Sequence, residues 1–261
     1  MFKRKILSKL EAWKQDERHK PLILRGARQV GKTTVVNEFG SQFDNYLYFN
    51  LEMSESVRLF EMDIPLNDLV NMLFASLGKS QKKGSTLIFI DEIQNSPKTI
   101  ALLRYFYEQR PDLYVIAAGS LLENLVDVNV SFPVGRVMYL ALRPCSFYEF
   151  LGAIGKNNLL TILSQKAEYS IAFHEQLMHQ FNQYTIIGGM PEAVQHYAET
   201  QDIIAIEDVY ETLVQAYKDD SEKYARSNKL TDVVRFILSY GWAFSGETIT
   251  LGNFANSGYK S

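Results

Sequence analysis

The sequence predicts an α/β fold in which helices cover a parallel sheet, followed by a mainly helical region. Short apolar runs alternate with segments of helical spacing in the first half of the 261-residue chain. One apolar run leads into a glycine-containing loop that ends in Gly-Lys-Thr-Thr, and the alternation stops near residue 144. Strands that alternate with helices are typical of a parallel sheet with both faces covered.

The apolar runs define the expected elements in chain order. An N-terminal helix is indicated by Phe2, Ile6, Leu10 and Trp13, whose spacing places them on one helical face. Five buried parallel strands are expected at 21–26, 45–51, 86–91, 113–120 and 136–142. Helical segments lie between them at 32–43, 66–79 and 96–110. From residue 144 the apolar residues keep helical spacing without another strand, and 218–229 is interpreted as a solvated loop or helix end.

The bulk composition excludes several classes of protein. A hydrophobic content of 46% is enough to bury a core, so a disordered chain is excluded. The 27 basic and 30 acidic residues leave a net charge of -3, so overall charge does not favour nucleic-acid or membrane binding. A single cysteine, Cys145, cannot form an internal disulfide and is expected to be a small buried hydrophobe in a reducing compartment. No run approaches the roughly 18 apolar residues of a membrane span, so the chain is predicted to be soluble and cytoplasmic.

The loop after the first strand carries the most specific motif. Gly26, Gly31, Lys32 and Thr33 match the pattern G-x-x-x-x-G-K-[ST] between an apolar strand and a helix. Glycines let successive backbone N–H groups point at phosphate oxygens, and the helix adds the positive end of its dipole. Lys32 is expected to reach the β- and γ-phosphates of ATP, and the Thr33 hydroxyl to ligate Mg²⁺. The predicted phosphate-binding residues are Gly26, Ala27, Arg28, Gln29, Val30, Gly31, Lys32, Thr33 and Thr34. The alternative is a glycine turn with an exposed lysine.

Two acidic residues end the third strand and are the second candidate element. Ligands bind at the carboxyl ends of parallel strands, so Asp91 and Glu92 are expected to face the same crevice as the loop. Asp91 suits the Mg²⁺ shell, and Glu92 is expected to polarise an attacking water. The alternative is an acidic cap before the turn at 95–97. Ser120, at the end of the fourth strand, is predicted to orient the water or contact the γ-phosphate, or else to cap the next helix.

Six segments together resemble one family. The segments "GARQVGKTT", "FIDEIQ", "AAGSLL", "FPVGRV", "PCSFYEFL" and "GGMPEAV" occur in this order. They resemble the prokaryotic AAA-type P-loop ATPases of the archaeal-ATPase group, in the STAND-like branch, which carry a C-terminal domain of unknown function. The resemblance implies an ATPase core at 1–145, a helical lid at 146–243 and the start of a winged helix at 244–261. Because family members continue past the winged helix, it also predicts a truncated protein or gene fragment.

The same resemblance suggests roles for two more segments. In "FPVGRV", Arg136 is a candidate to stabilise γ-phosphate charge in its own subunit or in a neighbour; a surface charge is the alternative. In "GGMPEAV", Gly188, Gly189 and Pro191 resemble the element that leans on the nucleotide base. Glycines permit close approach and proline offers a rigid apolar surface, although the same letters also encode a turn between helices.

Three functions remain open on these residues. The first is an Mg²⁺-dependent ATP-hydrolysing ATPase that acts as a nucleotide-driven conformational switch, with ATP, ADP and other copies of the chain as partners. The second is a nucleotide-stabilised DNA- or protein-binding module with negligible turnover, whose contact with its partner would lie in the missing C-terminal part. The third is a small-molecule or nucleotide kinase, ranked last because the arginines are scattered rather than clustered.

Overall fold

A computed structural model describes residues 2–119, 133–164, 171, 173–224, 228–244 and 246. The chain divides into two compact units, Met1–Ala198 and Glu199–Ser261. The predicted boundaries at 145/146 and 243/244 differ from this division and remain predictions.

The first unit is built on a five-stranded sheet. Its strands are β1 (Leu22–Arg25), β2 (Asn45–Asn50), β3 (Thr86–Asp91), β4 (Leu113–Gly119) and β5 (Met138–Ala141). Their order is β2-β3-β4-β1-β5, and every neighbouring pair is parallel. Each strand lies within its predicted segment, so the predicted fold class is confirmed. The order places β4 between β1, which precedes the phosphate loop, and β3, which precedes the acidic pair.

Helices cover both faces of this sheet. The helices in the first half are α1 (Ile6–Gln15), α2 (Lys32–Gly40), α3 (Ser54–Phe60), α4 (Leu66–Ser76) and α5 (Pro97–Gln109). Alternate strand residues point to opposite faces. On one face, Leu24 and Phe89 pack with residues of α1 and α2. On the other, Ile23 and Ile90 pack with residues of α3, α4 and α5. The short helix α3 was not predicted, because its seven residues contain too few apolar positions for a periodic pattern.

The predicted face of the first helix is largely confirmed. Ile6, Leu10 and Trp13 are buried, while Phe2 precedes the helix and is half-buried. Cys145 is also buried, as predicted, and burial raises the pKa of its thiol to about 11. In the described part of the chain, every helix is too short or too polar to cross a membrane.

The rest of the described chain is helical, as the sequence predicted. Its helices are α6 (Phe147–Ala153), α7 (Asn157–Ser164), α8 (His174–Ile187), α9 (Pro191–Thr200), α10 (Glu207–Tyr224) and α11 (Asn228–Tyr240). The segment 218–229 therefore contains the end of α10 and the start of α11, and 225–227 lie outside the described residues. The predicted winged-helix start at 244–261 also lies outside them, except for residues 244 and 246.

Candidate nucleotide-binding site

The phosphate loop and the acidic pair meet at one edge of the sheet. Because β1 and β3 are parallel, their carboxyl ends lie at the same edge, with the end of β4 between them. There the Thr33 hydroxyl donates a hydrogen bond of 2.6 Å to Oδ2 of Asp91. The structure thus brings together the two residues predicted to hold Mg²⁺. Since the hydroxyl hydrogen goes to Asp91, the lone pairs of the Thr33 oxygen remain available to a cation.

The loop conformation requires glycine at two positions. Gly31 has a φ of 87°, in the left-handed region that favours glycine. At Gly26, a Cβ atom would lie 2.4 Å from the carbonyl oxygen of Leu142, so a side chain there would displace the backbone. The loop is therefore held between β1 and the segment that follows β5.

The end of the loop presents backbone donors. The N–H groups of residues 31–34 have no acceptor within the described chain, because they open helix α2. Such a run of free donors, at the positive end of a helix dipole, fits a phosphate group.

Lys32 is buried against its own loop. Its Nζ donates hydrogen bonds to the carbonyl oxygens of Gly26 (3.0 Å) and Ala27 (2.9 Å). Burial lowers the pKa of the ammonium, although the charges of Glu92 and Asp91 act in the opposite direction. Since an ammonium carries three N–H groups, a third remains for a phosphate oxygen.

Asp91 is a buried carboxylate next to the phosphate loop. Its residue is 3% exposed, and besides the Thr33 hydroxyl it accepts the N–H of Glu92 at 3.1 Å. Burial raises the pKa of Asp91, and the hydrogen bond from Thr33 does not offset this. No cluster of three or more His, Cys, Asp or Glu that could hold a metal occurs among the described residues. A hydroxyl and one carboxylate fit Mg²⁺, which binds few protein ligands together with phosphate oxygens.

Glu92 occupies an unusual backbone conformation. Its φ of 52° and ψ of 45° lie in the left-handed region, which is uncommon for a non-glycine residue. Strain of this kind clusters at functional sites. The carboxylate oxygen Oε2 accepts a hydrogen bond from the side-chain amide of Gln94, and Oε1 of Gln94 is buried without a hydrogen-bond partner in the described chain. Sequence reasoning missed Gln94, although it lies within the quoted segment "FIDEIQ".

Ser120 lies outside the described residues. Its predicted role requires that the fourth strand lie beside the strand that ends in Asp91. This requirement is met, because β4 pairs with β3. The role itself stays a prediction.

Arg136 lies far from the loop within its own chain. It precedes β5, whose first residue Met138 is level with Leu22, whereas the loop follows Arg25 at the other end of β1. Its Nε donates to Oε1 of Glu108 at 3.2 Å, and its side chain is 45% exposed. The structure does not bring Arg136 to the phosphate loop of its own subunit; a role toward a neighbouring subunit stays a prediction.

The segment 188–191 lies beside the phosphate loop, and its predicted contact with the nucleotide base stays a prediction. At Gly189 a Cβ atom would lie 2.5 Å from the Cys145 carbonyl oxygen, and the Gly189 carbonyl accepts the N–H of Cys145 at 2.6 Å. The ring of Pro191 lies 3.9 Å from the position that a Cβ on Gly31 would occupy. Pro191 also begins α9, so the segment is both a turn between helices and a neighbour of the phosphate loop.

One buried arginine behind the loop was missed altogether. Arg4 is 5% exposed and donates hydrogen bonds to Val30, Arg143 and Glu149. In the sequence it is one of several basic residues near the N-terminus, and nothing in that pattern distinguishes a buried arginine from an exposed one.

The chain is similar to known proteins over most of its length. The sequence model of a family described as "AAA domain" matches residues 18–151, and a second, described as a domain of unknown function (DUF8612), matches residues 178–256. No curated protein matches the sequence. Among solved structures, the chain is similar to one described as "Structure of C. elegans PCH-2", with 13% identity and a TM-score of 0.40. That similarity covers 91% of this chain and 68% of the other.

Proposed function

Because this chain belongs to the AAA domain family of P-loop ATPases, we propose that it binds ATP with Mg²⁺, hydrolyses it slowly and uses the cycle as a conformational switch. The predicted family, an AAA-type P-loop ATPase with a C-terminal domain of unknown function, is confirmed. The observation that carries the proposal is the 2.6 Å hydrogen bond between Thr33 and Asp91, beside Lys32 and Glu92. It joins the phosphate loop to the acidic strand end at the point where Mg²⁺ is needed.

Each residue of the site has a defined task in this proposal. The N–H groups of residues 31–34 and the Lys32 ammonium bind the phosphate oxygens. Thr33 and Asp91 hold Mg²⁺, which when bound neutralises charge on the β- and γ-phosphates. The Glu92 carboxylate accepts a proton from the attacking water and orients it toward the γ-phosphate. Pro191 contributes an apolar surface for the nucleotide base, next to Gly31.

The first test is steady-state ATP hydrolysis with Mg²⁺, comparing the unaltered chain with Glu92→Gln. Loss of a general base typically costs 10²–10⁴-fold in rate, so we expect turnover to fall about a hundredfold or more while ATP still binds. Glu55→Gln is the matched control, because Glu55 is exposed at the start of α3. If the unaltered chain binds ATP without turnover at any protein concentration, hydrolysis is overturned. The nucleotide-stabilised binding module then replaces it.

A second test addresses Arg136 and the predicted homo-oligomer. If Arg136 acts in a neighbour's site, turnover per subunit rises with protein concentration, and Arg136→Ala removes that rise. Arg104→Ala is a close control, because Arg104 pairs with the same Glu108 carboxylate at 2.9 Å. Equal effects of the two substitutions would leave Arg136 as a surface charge.

A further inference from the structure

The buried Arg4 side chain donates hydrogen bonds to three separate segments next to the phosphate loop. Its Nη1 donates to the Val30 carbonyl oxygen at 3.0 Å, and its Nη2 donates to the Arg143 carbonyl oxygen at 2.7 Å. Its Nε donates to Oε1 of Glu149 at 2.9 Å. One guanidinium therefore joins the loop, the segment after β5 and the first helix of the lid region.

The contact with Val30 sets the orientation of one peptide group in the loop. In a trans peptide, the C=O and N–H groups point in opposite directions. Because the Val30 carbonyl points at Arg4, the N–H of Gly31 in the same peptide points away from Arg4. That N–H is one of the loop donors without an acceptor in the described chain. The hydrogen bond from Arg4 to Val30 thus orients the Gly31 N–H, which can then donate to a phosphate oxygen.

The contact with Glu149 continues into helix α6. Glu149 and Ser146 form a capping box at the start of α6, in which the Ser146 N–H donates to Oε2 of Glu149 at 2.8 Å. The backbone N–H of Lys5 also donates to Oε1 of Glu149 at 2.9 Å, and the Lys5 ammonium lies 3.8 Å from the centre of the Tyr148 ring. The N-terminal segment is therefore anchored to α6 by several independent contacts.

We propose that Arg4 is a positioning residue that holds the Val30–Gly31 peptide ready for phosphate and transmits the state of the loop to helix α6 through Glu149. The proposal rests on the proposed function, because it concerns the same nucleotide site. Arg4 itself does not touch the nucleotide. It acts through the loop backbone on one side and through the capping box of α6 on the other.

The geometry needs an arginine rather than any cation. Guanidinium donors project from three nitrogen atoms in a fixed fork, so one side chain reaches three separate acceptors. A lysine ammonium carries its donors on a single nitrogen and cannot span the carbonyls of Val30 and Arg143 and the carboxylate of Glu149 together. Arg4→Lys therefore keeps the charge and breaks the connection.

The test measures ADP affinity with Mg²⁺ by calorimetry for Arg4→Lys, Arg4→Met and the unaltered chain. Without Arg4, we expect the loop to hold its binding conformation for only about a tenth of the time, so affinity falls about tenfold. Arg18→Met is the matched control, since Arg18 is exposed at the end of the same N-terminal region and should leave affinity unchanged. A merely structural role lowers the unfolding temperature but leaves the affinity of the folded protein the same.

Hydrogen exchange of Phe147–Ala153 supplies a second readout. We expect ADP to slow exchange in α6 of the unaltered chain, and this slowing to disappear in Arg4→Lys at saturating ADP. Affinity of Arg4→Lys within twofold of the unaltered chain overturns the positioning role. If ADP does not change the hydrogen-exchange rate of α6 in the unaltered chain, the connection to the lid is overturned. This outcome does not depend on whether Arg4→Met folds. Absence of ADP and ATP binding in the unaltered chain would instead refute the proposed function itself.

Discussion

Two carboxylates with little solvent exposure, Asp91 at the candidate nucleotide site and Glu149 behind it, have opposite surroundings. Burial raises the pKa of Asp91, whose donors include the Thr33 hydroxyl and the Glu92 N–H. Burial also acts to raise the pKa of Glu149, but the N–H groups of Ser146 and Lys5 and the Arg4 guanidinium outweigh it and hold that pKa below its usual range. The charge of Glu149 is neutralised within the fold.

The two carboxylates differ in whether a cationic side chain of the fold pairs with them. Glu149 with Arg4 is a complete pair, with side chains 9% and 6% exposed, and it needs nothing from outside the chain. Asp91 carries a buried charge that the described residues do not neutralise with a direct ion pair. A buried carboxylate of this kind, at the edge of a parallel sheet, fits a cation that arrives with a ligand. Three predictions test this contrast.

The largest change in the free energy of unfolding is expected when the ion pair between Arg4 and Glu149 is broken. Glu149→Leu leaves the Arg4 guanidinium buried without its carboxylate, and removing one partner of a buried pair costs about 3–5 kcal/mol. We expect the free energy of unfolding, measured with urea, to fall by about 3 kcal/mol. Glu55→Leu is an exposed control and should change it little. A loss below about 1 kcal/mol would mean that Arg4 finds other compensation in the fold.

A smaller effect of opposite sign is expected at Asp91. Asp91→Asn removes the buried charge and keeps a side chain that hydrogen-bonds to Thr33. The free energy of unfolding of the nucleotide-free protein should rise by about 1 kcal/mol, as is common when a strained functional site is relieved. Asp63→Asn, at an exposed position, is the control. Destabilisation by Asp91→Asn would show that the charge is already balanced without a bound cation.

The smallest effect is the pH dependence, which has opposite signs at the two sites. The folded-state pKa of Glu149 is lowered, so its stabilisation is present above the unfolded pKa and is lost as pH falls through the folded pKa. The folded-state pKa of Asp91 is raised above 3.8, so its cost is complete above that folded pKa and disappears as pH falls toward 3.8. Urea unfolding from pH 7 down to acid should show Glu149→Gln losing its deficit in stability relative to the unaltered chain. Asp91→Asn should lose its excess in stability over the same range.

A difference in stability of the same sign for both variants at pH 7 would contradict the contrast between the two carboxylates. Glu55→Gln serves as the reference, because an exposed carboxyl should give a curve parallel to that of the unaltered chain.

The fold class and the candidate site residues at two strand ends were predictable from the amino-acid sequence. Apolar runs of strand length identify β1 to β5, because a strand buried on both faces needs apolar residues along its whole length. The motif at 26–34 and the acidic pair at 91–92 are local patterns, since the loop and the strand end each need specific residues at fixed spacing. Once the sheet was predicted to be parallel, the meeting of Thr33 and Asp91 followed from the strand ends.

Contacts between residues that are distant in the sequence were not predictable, because they depend on how the chain packs. Arg136 pairs with Glu108, 28 positions earlier in the chain, and no local pattern in either segment indicates that contact. Gln94 becomes notable only beside the Glu92 carboxylate in its left-handed conformation. Arg4 and Glu149 are 145 positions apart in sequence, and a buried ion pair over that separation leaves no pattern in either segment. Burial and pairing of charges are properties of the packed chain, because they depend on which surfaces meet.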